Sequence, residues 1–228
     1  MFNQDGRPGD GQRSAQNFHH HHGGAFRGNP IFLLQKIGFG RGIKVADLGS
    51  GDGFYTIPIS QMVGPEGKVY AVDWNSQALS VLRDNIQTSP NAPNNIETVT
   101  ADMANTGIET RSIDVVFLAN SFHNARNSDA LIQEIVRLLK PGGRVVDIDW
   151  MKKQTPFGPP YSIRFNEAEV TELFRKAGFV VEEQFHPDQY HYCLTFRLDP
   201  SNQEIRTEGS GKVNRSLGEA GPHQHIVY

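Results

Sequence analysis

The sequence predicts an α/β protein with a doubly wound, seven-stranded, mostly parallel sheet that ends in an antiparallel C-terminal hairpin. Apolar strand-like segments alternate with helical segments along the chain, which is typical of parallel strands joined by helices. The fourth strand segment, Ile113–Ala119, is an almost continuous apolar run, as expected for a strand buried on both faces. A glycine-rich turn at residues 49–53 follows the first strand directly. These observations predict a ligand site at the carboxyl ends of the strands.

Each element has a local signal, namely apolar runs for strands and apolar residues at helical spacing for helices. The predicted strands are 43–48, 68–72, 96–101, 113–119, 144–148, 179–185 and 190–198. The predicted helices are 54–63, 77–86, a segment whose apolar face contains Leu131, Ile135 and Leu138, and 167–177. Lys140-Pro141-Gly142-Gly143 is expected to end the third helix, because proline cannot continue a helix and glycine permits the reversal. The whole pattern is Rossmann-like.

Composition indicates one domain, residues 30–198, between two flexible tails. Residues 1–29 are rich in Gly and His, residues 199–228 are rich in Gly, Ser and charged residues, and neither tail has apolar periodicity. The run His19–His22 can bind transition metals, although a solvated tail is the simpler interpretation.

Charge and cysteine content narrow the possible partners. With 22 Lys and Arg against 25 Asp and Glu, we expect no nucleic-acid partner. The single cysteine, Cys193, excludes an internal disulfide and a multi-cysteine metal site, and we expect no bound metal. No apolar run has the length of a membrane span and no signal peptide is recognisable, so we expect a cytoplasmic protein.

The turn after the first strand has the pattern D-x-G-x-G-x-G, formed by Asp47 with Gly49, Gly51 and Gly53. A dinucleotide fingerprint would require a glycine at position 54, where the chain has Phe54. Glycine lets a ligand approach the backbone closely, and the following helix directs free N–H groups at it. Asp47, the three glycines and Ser50 are therefore predicted to form part of a cofactor site, although a simple tight turn has the same glycines.

Further polar residues follow the next three strands. Asp73 ends the second strand, where a carboxylate can accept both hydroxyls of a ribose; its alternative role is to cap the next helix. Trp74 offers a flat surface for adenine, or is simply a rim or core residue. After the third strand, Asp102 can accept from the adenine amino group and the Met103 N–H can bond a ring nitrogen, unless Asp102 is only a surface turn residue. Backbone carbonyls at Asn120, after the fourth strand, complete the predicted site.

This order of motifs resembles the class I S-adenosylmethionine (SAM) methyltransferase family over residues 30–198. The segment 118–123, Lys-Pro-Gly-Gly and the terminal hairpin are similar to the ubiquinone/menaquinone C-methyltransferase-like group. The resemblance implies SAM as the cofactor and in-line transfer of its methyl group to a small organic acceptor. It also implies that Asp47 holds the turn by accepting backbone N–H groups and reaches the ammonium group of SAM through water. A protein or RNA methyltransferase and a non-catalytic SAM-binding partner subunit remain alternatives.

The acceptor side has fewer signals. His123 is the candidate catalytic or acceptor-orienting group, and a hydrogen bond to a loop carbonyl is its alternative role. The loop 150–165 is expected to cover the acceptor, with Phe157 and Tyr161 as apolar walls and Arg164 binding an anionic substituent. Alternatively, this loop is a packed connector with Arg164 in a surface ion pair. His186 and His191 are expected to lie far from the site.

Overall fold

The computed structural model describes residues 29–89 and 93–199; most of both predicted tails, with His19–His22, lies outside them. The helices are α1 (Pro30–Ile37), α2 (Thr56–Val63), α3 (Ser76–Thr88), α4 (Ser128–Leu138) and α5 (Glu167–Lys176). The strands are β1 (Lys44–Leu48), β2 (Lys68–Asp73), β3 (Ile96–Thr100), β4 (Ile113–Ala119), β5 (Leu139–Trp150), β6 (Phe179–Phe185) and β7 (His191–Leu198). Short 3₁₀ turns cover Phe122–Asn124 and Tyr161–Ile163. None of the described helices is long and apolar enough to span a bilayer.

The seven strands form one sheet in the order β3-β2-β1-β4-β5-β7-β6. Strands β1 to β5 pair in parallel, whereas β7 is antiparallel to both of its neighbours, β5 and β6. The predicted fold class is therefore confirmed. The strand order reverses between β1 and β4, and ligands of doubly wound folds bind beside such a reversal, at the carboxyl ends of the strands.

Helices cover both faces of the sheet because strand residues alternate in direction. Phe117 on β4 belongs to a buried cluster that includes Leu34 of α1 and Ile59 of α2. Its neighbour Leu118 packs in a second cluster with Phe174 of α5. The central strands are therefore buried on both sides, as the apolar run of β4 predicts.

The Lys-Pro-Gly-Gly segment differs from its prediction. Helix α4 ends at Leu138, before this segment, and the segment lies within β5. Leu139 pairs with Ile113 and Arg144 with Val115, so the residues between Leu139 and Arg144 bulge out of the pairing. Gly142 has φ +77° in this bulge. Strand pairing therefore begins at Leu139, before the proline and glycines that were expected to reverse the chain. From there β5 continues to Trp150.

Candidate functional site

The glycine turn leaves β1 beside β2, with Gly49, Gly51 and Gly53 all at positive φ. A Cβ at Gly49 would lie 2.5 Å from the Cβ of Ser121, and a Cβ at Gly53 would lie 2.1 Å from Cδ1 of Leu82. A Cβ at Gly51 would meet no atom within 4 Å. The outer glycines thus permit close packing of the protein itself, while the middle one faces open space where a ligand can approach the backbone.

Asp73, at the end of β2, joins its strand to the glycine turn. Its Oδ2 accepts from the backbone N of Gly51 at 2.9 Å, and its Oδ1 accepts from the backbone N of Asn75 at 2.8 Å. Asn75, not Asp73, caps α3 through the backbone N of Gln77. Because a carboxylate oxygen can accept more than one hydrogen bond, both oxygens of Asp73 keep capacity for ribose hydroxyls.

Asp47 has a different partner from the one expected. Its Oδ2 accepts from the Oγ1 of Thr56 at 2.5 Å, which links the end of β1 to the start of α2. The expected backbone contact to the turn is made by Asp73, so that assignment to Asp47 was wrong. Burial raises the pKa of Asp47 from 3.8 to about 7, and the negative charge of Asp73 adds to this rise, against the lowering effect of the Thr56 hydrogen bond.

The residues predicted to hold adenine lie at the ends of neighbouring strands. Trp74 is 72% exposed directly after β2. Asp102 is exposed after β3, and its Oδ1 accepts from the backbone N of Ala104 at 2.9 Å. Met103 is partly buried against the core. The pairing of Asp73 with Thr100 places β2 and β3 side by side, so these residues share one edge of the sheet.

Three buried oxygens near the turn have no hydrogen-bond partner among the described residues. They are the Oγ of Ser50, the Oδ1 of Asn120 and the Oγ of Ser121. Asn120 also has φ +54°, a conformation that residues other than glycine seldom adopt. Buried polar atoms are nearly always hydrogen-bonded, and strained backbone concentrates at functional sites. The turn, Asp73 and these oxygens therefore fit a ligand such as SAM, which carries ribose hydroxyls together with amino and carboxylate groups.

His123 lies in the 3₁₀ turn after β4 and is held by Asp149 of β5. Nδ1 of His123 is 2.7 Å from Oδ1 of Asp149, and the backbone N of His123 donates to Oδ2 at 3.1 Å. The side chains are only 6% and 2% exposed. Its partner is therefore a carboxylate, not the loop carbonyl considered above.

Sequence reasoning missed Asp149 altogether. A signal was available, because Asp147 and Asp149 interrupt an otherwise apolar strand at alternate positions. Asp147 is fully buried and accepts from the Oη of Tyr192 at 3.2 Å. Burial and the charge of Asp149 hold the pKa of Asp147 well above its usual value, against the lowering effect of the Tyr192 hydrogen bond. The buried environment of Asp147 therefore disfavours its charged form.

Arg164 has neither of its expected roles, anion binding or a surface ion pair. It is 4% exposed, and its guanidinium lies 4.9 Å from the ring of Trp150. Its nitrogens donate to the Oγ1 of Thr155 and to backbone carbonyls of the loop. These carbonyls belong to Met151, Lys153, Phe157 and Pro159. Arg164 therefore stabilises the loop 150–165 from within, because its planar donor fork satisfies several buried carbonyls at once.

The two aromatic residues proposed as acceptor walls differ in exposure. Phe157 is partly buried, with its ring 5.9 Å from that of Trp150 and 4.9 Å from that of Tyr190. Tyr161 is 46% exposed. Phe157 thus belongs to the packed interior of the loop, while Tyr161 is available to a ligand.

His191 lies closer to the site than expected. Because β7 is antiparallel to β5, its first residue, His191, pairs with Trp150 at the carboxyl end of β5. The two rings are 4.3 Å apart, and Nδ1 of His191 contacts Asp188 at 2.9 Å. The expectation that His191 is remote was therefore wrong. His186 is half exposed and contacts Glu167 at 2.8 Å.

Comparison with known proteins identifies the family. Residues 45–143 match the family model described as a methyltransferase domain. The chain is 30% identical over 180 residues to the ubiquinone/menaquinone biosynthesis C-methyltransferase UbiE of Idiomarina loihiensis, covering 77% of this chain and 68% of that protein. It is 30% identical over 184 residues to the demethylmenaquinone methyltransferase of Lactococcus lactis, covering 67% and 72%. The chain thus spans about two thirds of the length of its curated relatives.

Solved structures agree with these relatives. A SAM-dependent methyltransferase from Aquifex aeolicus superposes with a TM-score of 0.70 at 27% identity, covering 75% of this chain and 90% of that one. A type 11 methyltransferase, so assigned provisionally, from Sulfolobus solfataricus gives 0.64 at 33% identity, covering 75% and 93%. The chain therefore belongs to the class I SAM-dependent methyltransferase family, within its UbiE-like group.

Proposed function

We propose that this protein transfers the methyl group of SAM to a small organic acceptor at the carboxyl edge of its sheet. The observation that carries the proposal is the carboxylate of Asp73, bonded to the backbone N of Gly51 at the point where the turn faces open space. A ribose placed there meets both a carboxylate and an approachable backbone. When bound, SAM supplies an electrophilic methyl group on a sulfonium.

The remaining cofactor contacts follow from the positions of the side chains. Asp102 accepts from the adenine amino group with the carboxylate oxygen that does not bind Ala104, and the Met103 N–H bonds a ring nitrogen. Trp74 covers one face of the adenine, since most of its ring surface is exposed. The family relationship and the neighbouring strand ends of β2 and β3 support these assignments.

The methionine part of SAM is assigned to the side of the glycine turn that lies away from the ribose and Asp73. Ser50, Ser121 and Asn120 each have a buried oxygen that lacks a partner in the described part of the chain. These oxygens, with Gly49 beside Ser121, would receive the ammonium and carboxylate groups. Asp47, next to the last residue of β1, acts on the ammonium group through water. Positioning the methyl group against the acceptor is the main catalytic contribution available to such a site.

The acceptor lies under the loop 150–165, with Tyr161 as its exposed apolar contact. Several relatives are named as C-methyltransferases of ubiquinone and menaquinone biosynthesis. A quinone precursor in its reduced form is therefore the first acceptor class to assay. The near balance of acidic and basic residues gives no support to a nucleic-acid acceptor.

The test of SAM binding is Asp73→Asn, measured by calorimetry. Losing charge-assisted hydrogen bonds to the ribose should weaken SAM binding about 100-fold or more. Asp114→Asn is the matched control, because Asp114 also accepts from a backbone N, that of Lys44, but at the opposite edge of the sheet. Unchanged SAM affinity in a folded Asp73→Asn protein would refute the cofactor assignment. Methyl transfer is then measured with methyl-labelled SAM and a panel of quinols and phenols.

A further inference from the structure

We infer that His123 is the general base of the reaction and that Asp149 is its positioning residue. This inference rests on the proposed methyl transfer to a quinol or phenol and adds the residues that remove the hydroxyl proton of the acceptor. His123 Nε2 takes the hydroxyl proton while the phenolate oxygen, or a ring carbon conjugated to it, bonds to the methyl carbon. The carbon–sulfur bond breaks with its electron pair on sulfur. For transfer to a ring carbon, that carbon then loses its own proton to solvent.

The first step of the argument is the two-point attachment of His123. One carboxylate, Asp149, contacts both the ring Nδ1 and the backbone N of the same histidine. The backbone N of Trp150 also donates to Asp149 at 2.7 Å, which helps to satisfy a buried anion. A carboxylate at Nδ1 requires the proton on that nitrogen, so Nε2 carries the lone pair and points away from Asp149. A neutral imidazole in this tautomer is a proton acceptor.

The second step is location. His123 follows β4 by four residues and Asp149 is next to the last residue of β5, so both lie at the carboxyl edge of the sheet. The backbone N of Asn120 donates to the carbonyl of Ile148 at 2.7 Å, which joins the two strand ends. Asn120 and Ser121 carry two of the unpartnered oxygens assigned to SAM. The histidine is thus two residues from the cofactor side of the site.

The third step is the electrostatic surroundings of the pair. Asp147 lies on the same face of β5 and Tyr192 lies on β7, and both interact with the charge of Asp149. The Arg164 guanidinium, from the loop, interacts with the same carboxylate. The two acids on this strand thus differ in environment. Asp147 accepts one hydrogen bond, from Tyr192, in the core, while Asp149 has three hydrogen-bond contacts, two of them to His123. The carboxylate that contacts the histidine is therefore the better stabilised of the two.

The exposed pair His186–Glu167 provides a matched control within the chain. It has the same histidine–carboxylate contact, at 2.8 Å, but its histidine side chain is 51% exposed and its partner begins α5. A histidine that serves only to hold a turn should behave like His186 when ligands bind. His123 should not.

The first experiment requires no acceptor. Nitrogen NMR of the full chain, with His123→Gln for assignment, should show His123 in the Nδ1–H tautomer. Asp149→Asn should abolish this tautomer preference, because the carboxylate that fixes the proton on Nδ1 is gone. SAM should move the nitrogen signals of His123, because the sulfonium lies beside Nε2, and should leave those of His186 unchanged. An Nε2–H tautomer in the wild type, or an Asp149→Asn variant with the same tautomer as the wild type, would overturn the inference.

The second experiment measures turnover with methyl-labelled SAM. Asp149→Asn should lower kcat about 10²- to 10⁴-fold with KM for SAM unchanged, because the base loses its orientation and SAM binding does not depend on it. The loss of kcat caused by His123→Gln should become smaller as the phenol becomes more acidic, since an ionised acceptor needs no base. His186→Gln should match the wild type. Equal losses along the phenol series, or transfer only to amines or thiols, would overturn the inference and leave the methyltransferase function intact. Failure of the wild type to bind SAM would instead refute the proposed function.

Discussion

Replacing Asp47 by Asn should remove a pH-dependent loss of folding stability that the buried carboxyl causes. In the native protein the pKa of Asp47 is raised from 3.8 to about 7, mainly because burial disfavours the anion. Between these two pH values the unfolded chain is ionised at this position while the native protein holds the proton. The native state therefore loses stability through Asp47 as pH rises through this window, and the loss is complete above pH 7.

The magnitude follows from the size of the shift. About three pH units at about 1.4 kcal/mol each give an upper limit of about 4 kcal/mol for the Asp47 contribution. Asn has the same shape, can accept from Thr56 through its amide oxygen and never ionises. The stability difference between Asp47→Asn and the wild type should therefore shift in favour of the variant by up to about 4 kcal/mol from pH 4 to pH 7.5.

Urea unfolding at four pH values across this range measures the difference directly. Any constant cost of burying an amide shifts the stability difference equally at all four pH values. The change of this difference with pH is therefore the quantity that tests the prediction. Asp84→Asn, at an exposed position of α3, is the control, and its difference from the wild type should stay flat. A flat difference for Asp47→Asn as well would show that the native carboxyl is ionised and would refute the argument from burial.

Two further substitutions test packing around the site. Gly53→Ala should destabilise the fold by about 3 kcal/mol, because φ is +90° and the new Cβ would collide with Leu82; Gly51→Ala, which meets no neighbour, should lose only about 1 kcal/mol in the same urea titration. Arg164→Lys should destabilise the protein by about 2–3 kcal/mol and speed hydrogen exchange in the loop 150–165, since one ammonium cannot satisfy the carbonyls that the guanidinium binds. Faster exchange in β1 as well would contradict this local role.

Local sequence signals were sufficient for most of the fold. Apolar runs located all seven strands, and the turn glycines and Asp73 were placed at strand ends because strand and turn residues are adjacent in sequence. Helix α1 had a local signal that went unused: Asn29 caps it through the backbone N of Ile31, with Pro30 as its first residue. The bulge in β5 had no such signal, because the pairing of Leu139 with Ile113 depends on a strand 26 residues away.

The roles that sequence reasoning missed all depend on contacts between distant segments. Asp149 becomes the partner of His123 only because β4 and β5 are neighbours whose carboxyl ends meet. Arg164 folds back on carbonyls up to 13 residues earlier, which no periodicity encodes. The residues predicted to bind the cofactor each follow a single strand, so the sequence could place them at strand ends, whereas the contacts of the acceptor side join several strands and loops.

The position of β7 explains why the acceptor side is hard to read from sequence. Inserting β7 between β5 and β6 in the opposite direction brings the β6–β7 turn to the same edge as the glycine turn. Trp150 then contacts Tyr190 and His191 of the β6–β7 turn and Phe157 of the loop, which are two separate parts of the chain. A parallel last strand would have placed His191 at the opposite edge. The antiparallel hairpin, which closes the sheet, therefore also supplies part of the wall beside the loop 150–165, and substitutions in this turn should affect acceptor binding before they affect SAM binding.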